Sequence, residues 1–283
     1  MSHPVADNFR QAARANRDDP RRRGNVVTLA DDDHVLYSGD IHGHRENLAK
    51  IIAAARLGKD PQVRLVIQEV IHGPVDADGL DRSLSLLMRL GRLKLAHPLQ
   101  VLMLLANHDV AQITGSEITK NGLGVCETFV RGVRASYGDD AAEVLAGMEE
   151  FLLSMPLAIR CPNGVWMSHS LPSPARQQAA GLDVLDRPYT REDLQRGHSV
   201  YEWTWGRGHT REQIDSLAGQ LGVSVFLLAH RHCENGFEVI SDRCLTVLSD
   251  HAHGCVVRFP AGEALTGEML QQRIVPLASL PPA

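Results

Sequence analysis

The sequence lacks an excess of positive charge: 29 Lys+Arg stand against 34 Asp+Glu, for a net charge of −5 and a pI near 6.3. That balance excludes a bulk electrostatic pull toward nucleic acid or an anionic membrane, so no nucleic-acid groove is expected. The sequence also lacks any apolar run near the roughly 20 residues that a membrane helix needs, so no membrane partner is expected. The opening stretch, MSHPVADNFRQAARANRDDPRRRG, has no apolar segment of the signal-peptide kind. Arg21-Arg22-Arg23 is followed by GNVVTLADDD rather than by a hydrophobic region. This argues against a twin-arginine export signal and for a solvated basic arm. Cysteine is sparse: Cys126, Cys161, Cys233, Cys244 and Cys255 form no CxxC pair and are odd in number. They read as reduced thiols, which predicts a cytoplasmic protein. No repeat or low-complexity tract is present, and nothing in the chain specifies an oligomeric state.

What the chain has in quantity is histidine, 14 residues in 283, half of them inside the motifs described below. An apolar fraction of 43% over this length supports one large core or two modest ones. Residues 1–24 read as a flexible N-terminal arm, 25–260 as a single domain with a loop-rich insertion at 172–200, and 261–283 as a weakly structured tail. Residues 35–38, 63–70 and 101–105 read as strands. Between them, Leu48, Ile51, Ile52 and Ala55, then Leu80, Leu84, Leu87 and Leu90, recur with helical spacing. That alternation predicts a mainly parallel sheet with helices on its faces. Further on, the patterns predict a helix over 141–153, a turn at Pro162-Asn163-Gly164 and a strand at 165–167. A helix capped by Thr210 and Gln213 follows, then strands at 223–229, 244–248 and 255–259.

Metal-capable side chains stand where these apolar runs stop. VLYSGDIHGH ends in Asp40 and His42, VRLVIQEV in Glu69, and VLMLLANHD in Asn107, His108 and Asp109. VWMSHS ends in His169, and VFLLAHRH in His230 and His232. In open α/β sheets, ligands bind outside the carboxyl ends of the strands. Five strand ends therefore deliver carboxylates, imidazoles and an amide to one rim. The absence of thiolates disfavours a structural zinc or iron–sulfur site. The mixed O/N set suits Mn²⁺, Fe²⁺ or Zn²⁺, two of which can share one bridging carboxylate.

In these blocks the chain resembles the calcineurin-like metallophosphoesterases and is most similar to their phosphoprotein phosphatase (serine/threonine phosphatase) branch. GDIHG at 39–43 matches the first motif, and Asn107-His108-Asp109 looks like the Asn-His-Glu block. MPLAIRCPNGVWMSHSLPSP at 155–174 and AHRHCENGFEV at 229–239 resemble the later histidine blocks. The resemblance implies an α/β fold with a layered β-sheet core, mixed sheets flanked by helices, and an active site at strand C-terminal ends. It implies two divalent metal ions, Mn²⁺ first, with Fe²⁺/Fe³⁺ or Zn²⁺ as alternatives. Asp40 and His42 would hold one ion, with His232 as a further ligand; Asn107, His169 and His230 would hold the other, and Glu69 would bridge. His108 would be the general acid and Arg207 the phosphate clamp. The implied reaction is hydrolysis of a phosphate monoester by a metal-bound hydroxide, on a phosphorylated protein or small molecule.

The second motif departs from the family's Gly-Asp-x-x-Asp-Arg-Gly, reading Gln68-Glu69-Val70-Ile71-His72-Gly73-Pro74. The bridge is one methylene longer, the phosphate-binding Arg is gone, and His72 cannot be the anionic acceptor that orients the general acid. Asp76, Asp78 and Asp81 follow within chain reach of His108. His251 and His253 border the region of the site. Two alternatives follow from these departures: a dinucleoside polyphosphate or cyclic-nucleotide hydrolase, and a non-catalytic metal-binding scaffold that recognises phosphorylated partners.

Overall fold

The computed structural model describes residues 2–120 and 122–281. Two mixed sheets face each other. One has five strands in the order Ile274–Pro276, Cys255–Pro260, His34–Asp40, Val63–Gln68, Val101–Leu104. Its last three run parallel, and the first two pair antiparallel at the edge. The other has seven strands, in the order Arg22–Arg23, Val26–Thr28, Ala158–Arg160, Val165–Ser168, Val225–Leu228, Cys244–Val247, Phe237–Ser241. The single, mainly parallel sheet expected from strand–helix alternation is thus replaced by two mixed sheets. The later strands are buried on both faces, so their periodicity cannot report which sheet they join.

Tyr37, Val66 and Leu104 from one sheet pack against Val165, Met167, Leu227 and Val247 from the other. Each such aliphatic side chain contributes roughly 1.5–3 kcal/mol by leaving water. The layer therefore locks the relative position of the strands whose ends carry the polar residues. The two sheets touch at Gly39-Asp40, where the Ser249 N–H donates to the Asp40 carbonyl at 3.1 Å and the Gly39 N–H to Ser249 Oγ at 3.1 Å. A Cβ on Gly39 would lie 1.8 Å from the Val247 carbonyl oxygen. Gly39→Ala is therefore expected to cost about 3 kcal/mol or more, the upper range for overpacking a rigid site. An unchanged urea midpoint would show that the sheets can part without penalty.

Residues 2–24 do not form the flexible arm expected of this segment. Pro4–Arg17 is a helix with His3 as its N-cap, and Ala6, Phe9, Ala12, Ala13 and Asn16 are buried. It lies on the helices Ala141–Leu152 and Leu84–Ala96, with Phe9 stacked on Phe151 at 5.7 Å. Its apolar face is mostly alanine, so the sequence shows little contrast there. The tail is also built in: after the helix Gly267–Gln271, Ile274–Pro276 extends the five-stranded sheet. The 172–200 segment holds only short turns of helix until Ser199–Trp205 begins. The helices Asn107–Thr114 and Val125–Tyr137 carry site residues or pack behind them. Among the described residues no helix is long and apolar enough to cross a membrane, and all five cysteines are buried free thiols.

Candidate metal centre

The rim is built from turns tied to one another. Ile41 and His42 donate their backbone N–H groups to the Glu69 carbonyl at 3.1 and 2.9 Å, joining the turns that follow His34–Asp40 and Val63–Gln68. His42, Glu69, His72 and His230 take φ of 41°, 47°, 61° and 69°. Left-handed non-glycine residues cost on the order of 1–3 kcal/mol each and persist where the surroundings over-determine them. Four of the five described residues of this kind stand in this one place, which marks the rim as a site rather than as a set of ordinary turns.

Glu69 is central. Its Oε2 is 3.5 Å from His42 Nε2 and 3.8 Å from His169 Nε2, and its Oε1 accepts from the His108 backbone N–H at 3.1 Å. One carboxylate thus belongs to two donor groups, His42–Glu69–His108 and Asp40–Glu69–His169. Asn107 Oδ1 lies 2.7 Å from His169 Nε2, and His230 Nδ1 lies 3.1 Å from the same nitrogen. Asp40 also accepts from the His230 backbone N–H at 3.1 Å.

Gln68 settles the tautomer of His169. Its Nε2 donates to the Ser38 carbonyl at 3.1 Å and to the Tyr37 hydroxyl at 2.7 Å. A carbonyl can only accept, so Gln68 Oε1 is the atom that meets His169 Nδ1 at 2.9 Å. His169 then carries its proton on Nδ1, and Nε2 presents its lone pair between the Asn107 amide and His230 Nδ1. His230 Nε2 is buried with no hydrogen-bond partner among the described residues. This donor set fits a divalent cation.

Electrostatics point the same way. Burial pushes Asp40 up to about 7. Glu69 is pushed well above the carboxylate range by burial and then by the Asp40 charge. Burial lowers His42 and His230 to about 3 and carries His169 and His108 well below the usual imidazole range. Neutral imidazoles are the form that binds metal, and a cation would relieve the carboxylate pair.

The structure brings together Asp40, His42, Glu69, Asn107, His108, His169 and His230. Arg207 is exposed at the mouth, its Nη1 donating to the His230 carbonyl at 3.2 Å, and its charge is felt by Asp40 and His169. His232 stands outside both donor groups: it is exposed and faces His251, ring centroids 6.0 Å apart. The left-handed turn at His230 carries the chain out of the cleft before His232 is reached. Asp76 and Asp81 do not orient His108. Asp76 accepts from the Asp78 and Leu80 N–H groups and from Arg82, and Asp81 accepts from the Ser83 N–H.

His72 itself meets His108, Nδ1 to Nδ1 at 2.9 Å. The sequence reading missed Gln68, Gln112 and Lys120. Lys120 lies in the short hairpin pairing Thr119–Lys120 with Leu123–Gly124, and its charge reaches His42, His72 and His108. The two amides carry no sequence signal, because an uncharged glutamine is read as surface unless its neighbours are known.

No protein family and no curated protein matches this sequence. The fold is nevertheless similar to that of a protein serine/threonine phosphatase from Saccharomyces cerevisiae with similarity to human phosphatase PP5. The TM-score is 0.68 at 16% identity, over 97% of this chain and 92% of that one. It is also similar to the cold-active protein-tyrosine phosphatase of the psychrophile Shewanella SP., with a TM-score of 0.57 at 14% identity, over 88% of this chain and 82% of that one. At these identities the likeness is one of architecture: the chain shares the layered α/β fold of these two proteins.

Proposed function

We propose that this chain is a phosphomonoesterase that works with two divalent cations, manganese first among them, on phosphoserine or phosphothreonine in proteins. The observation that carries this reading is the Glu69 carboxylate, shared by two donor groups whose remaining atoms are neutral imidazoles, a carboxylate and an amide oxygen. Asp40, His42, Asn107, His169 and His230 would hold the pair of ions, with the Glu69 carboxylate common to both donor groups. When bound, such ions supply electrophilic activation, acidifying water and neutralising phosphoryl oxygens.

The chain's own residues do the rest. Gln68 holds His169 in the tautomer that presents Nε2. Arg207 offers planar paired donors to the non-bridging phosphoryl oxygens, and Lys120 adds a second positive charge where the motif arginine is missing. As the P–O ester bond breaks, the leaving oxygen takes a proton from His108, a water oxygen forms the new bond to phosphorus, and the proton which that water loses passes to solvent, from which His108 is reprotonated.

The test is metal analysis of the purified chain with added Mn²⁺, together with a panel of aryl phosphates, phosphopeptides, dinucleoside polyphosphates and cyclic nucleotides. Two equivalents of metal and turnover of monoesters, phosphopeptides included, are expected. Two equivalents without turnover of anything would leave a phospho-recognition scaffold, and preference for the nucleotide substrates would replace the substrate class.

Metal uptake should be linked to protons. Asp40 keeps its proton up to about pH 7, whereas His42 and His230 are neutral down to about pH 3. Below pH 7 the cation must expel the Asp40 proton. Apparent Mn²⁺ affinity should therefore rise by about tenfold or more per pH unit from 5 to 7, more steeply if Glu69 also releases a proton. Calorimetric titrations at pH 5.5, 6.5 and 7.5 check this, and a flat profile would mean that the carboxylates are already ionised.

A further inference from the structure

Arg207, the cation at the mouth of the cleft, stands on residues 206–210. These belong to neither helix nor strand and join the helices Ser199–Trp205 and Arg211–Leu221. No regular backbone ladder fixes where the guanidinium starts. The segment is fastened instead to the turn that follows His169. The Ser170 hydroxyl oxygen lies 2.7 Å from the Gly206 carbonyl oxygen. A carbonyl can only accept, so Ser170 donates its one hydroxyl proton there. No other hydrogen bond reaches that oxygen among the described residues. Close packing adds to the bond, since a Cβ on Gly206 would lie 1.7 Å from the Leu171 carbonyl oxygen.

Ser170 is itself held. It is buried, and its carbonyl accepts from Ser168 Oγ at 2.8 Å. Two residues on, the Pro172 carbonyl accepts from Gln213 Nε2, on the helix Arg211–Leu221. The chain before and after Arg207 is therefore tied to one short stretch, 170–172. At its other end the guanidinium donates from Nη1 to the His230 carbonyl at 3.2 Å. A guanidinium has five N–H groups, so four remain for a ligand. Its root is thus anchored beside His169 and its tip beside His230, two of the residues that face each other in the donor set.

We propose that Ser170 is a positioning residue for Arg207. Acting through the Gly206 carbonyl, its hydroxyl holds the turn from which the guanidinium projects at a fixed offset from His169. A paired-donor grip on phosphoryl oxygens depends on direction, and a long side chain on an untethered loop would lose affinity by having to be ordered on binding. The inference rests on the phosphatase reading, in which Arg207 grips the phosphoryl group.

The experiment is calorimetric titration of the Mn²⁺-loaded full chain with orthophosphate, with metal content measured on every sample. Arg207→Ala should weaken orthophosphate by about 10- to 100-fold, the scale of charge-assisted hydrogen bonds. Ser170→Ala should weaken it by about 3- to 10-fold, with two equivalents of metal retained. The double variant should bind within about twofold of Arg207→Ala alone, because a residue that acts through another has nothing further to lose. In Ser170→Ala the KM for a nitrophenyl phosphate should rise by the same factor as the orthophosphate Kd, with kcat within about twofold, as for binding shared by ground and transition states. Ser170→Cys keeps the size and a weak donor, so its affinity should fall between wild type and Ser170→Ala, and it carries the comparison if Ser170→Ala does not fold.

An unchanged orthophosphate affinity in the Ser170 variants overturns the proposal. So do losses that multiply in the double variant, which would make Ser170 independent of Arg207, and so does loss of metal from Ser170→Ala, which would route its effect through His169. Any of these in a chain that hydrolyses esters leaves the phosphatase reading intact. A chain that shows the Ser170–Arg207 coupling toward orthophosphate but cleaves no ester sinks that reading, while the link between the two residues stands.

Discussion

His108→Ala is expected to lower turnover of an alkyl phosphate monoester by about 10³-fold, within the range that a positioned general acid supplies. Turnover of a nitrophenyl phosphate should fall by only about tenfold or less, because its leaving group departs as a stable anion and gains little from a proton in the transition state. The contrast, rather than either loss alone, identifies the role. His108 sits near His42 and Glu69 as well as beside His72, so its replacement could also weaken metal binding. A metal ligand would lower both substrates together, since both need the same electrophile. Equal losses on the two esters, with reduced metal content, would move His108 from proton donor to ligand. Parallel rates on both substrates, each measured with metal analysis, separate the two outcomes.

Glu69→Gln is the second large effect expected. A cation acting as Lewis acid is worth several kcal/mol of transition-state charge stabilisation. At about 1.4 kcal/mol per decade, losing one costs on the order of 10³-fold in rate. Metal content should fall from two equivalents to one or none.

The same substitution should have the opposite effect on the metal-free fold. Glu69 and Asp40 are buried side by side, and burial together with mutual repulsion opposes ionising both. Removing one carboxyl lifts that repulsion, so the metal-free variant should melt higher than the metal-free parent at pH 7.5. The linkage sign agrees. Asp40 has a folded-state pKa above its unfolded value, so its contribution is fully favourable below the unfolded carboxylate pKa and is lost as pH rises through about 7. The gain in Tm should therefore be largest at high pH. Added Mn²⁺ should stabilise the parent strongly and the variant weakly, because only the parent has the shared oxygen pair. A variant that keeps both its metals and its rate would remove Glu69 from the bridge.

The rim was legible because of where the polar residues stand. Asp40, Glu69, Asn107, His169 and His230 each follow an apolar run, and a carboxylate or imidazole at such a junction is visible without coordinates. The arm and the tail were not legible, for a different reason. The helix Pro4–Arg17 is held by alanines and one phenylalanine against other helices, and Ile274–Pro276 is held by a partner strand. Those stabilising contacts are long-range, and local composition does not report them. His232 shows the reverse error: spacing of two from His230 suggests a shared direction, but the positive φ at His230 breaks the alternation on which that inference depends.

By itself, the sequence determined which carboxylates, imidazoles and amides stand at the ends of the apolar strands and in what order, because side-chain type and strand-end position are local properties. Only the tertiary structure decided that Glu69 is common to two donor groups and that Gln68 assigns the proton of His169. It also decided that His72 takes up the contact its sequence position had seemed to forfeit. Each of these depends on which atom of one segment lies within 3 or 4 Å of which atom of another. Hydrogen bonds and charges act over that distance, and chain position alone does not specify it.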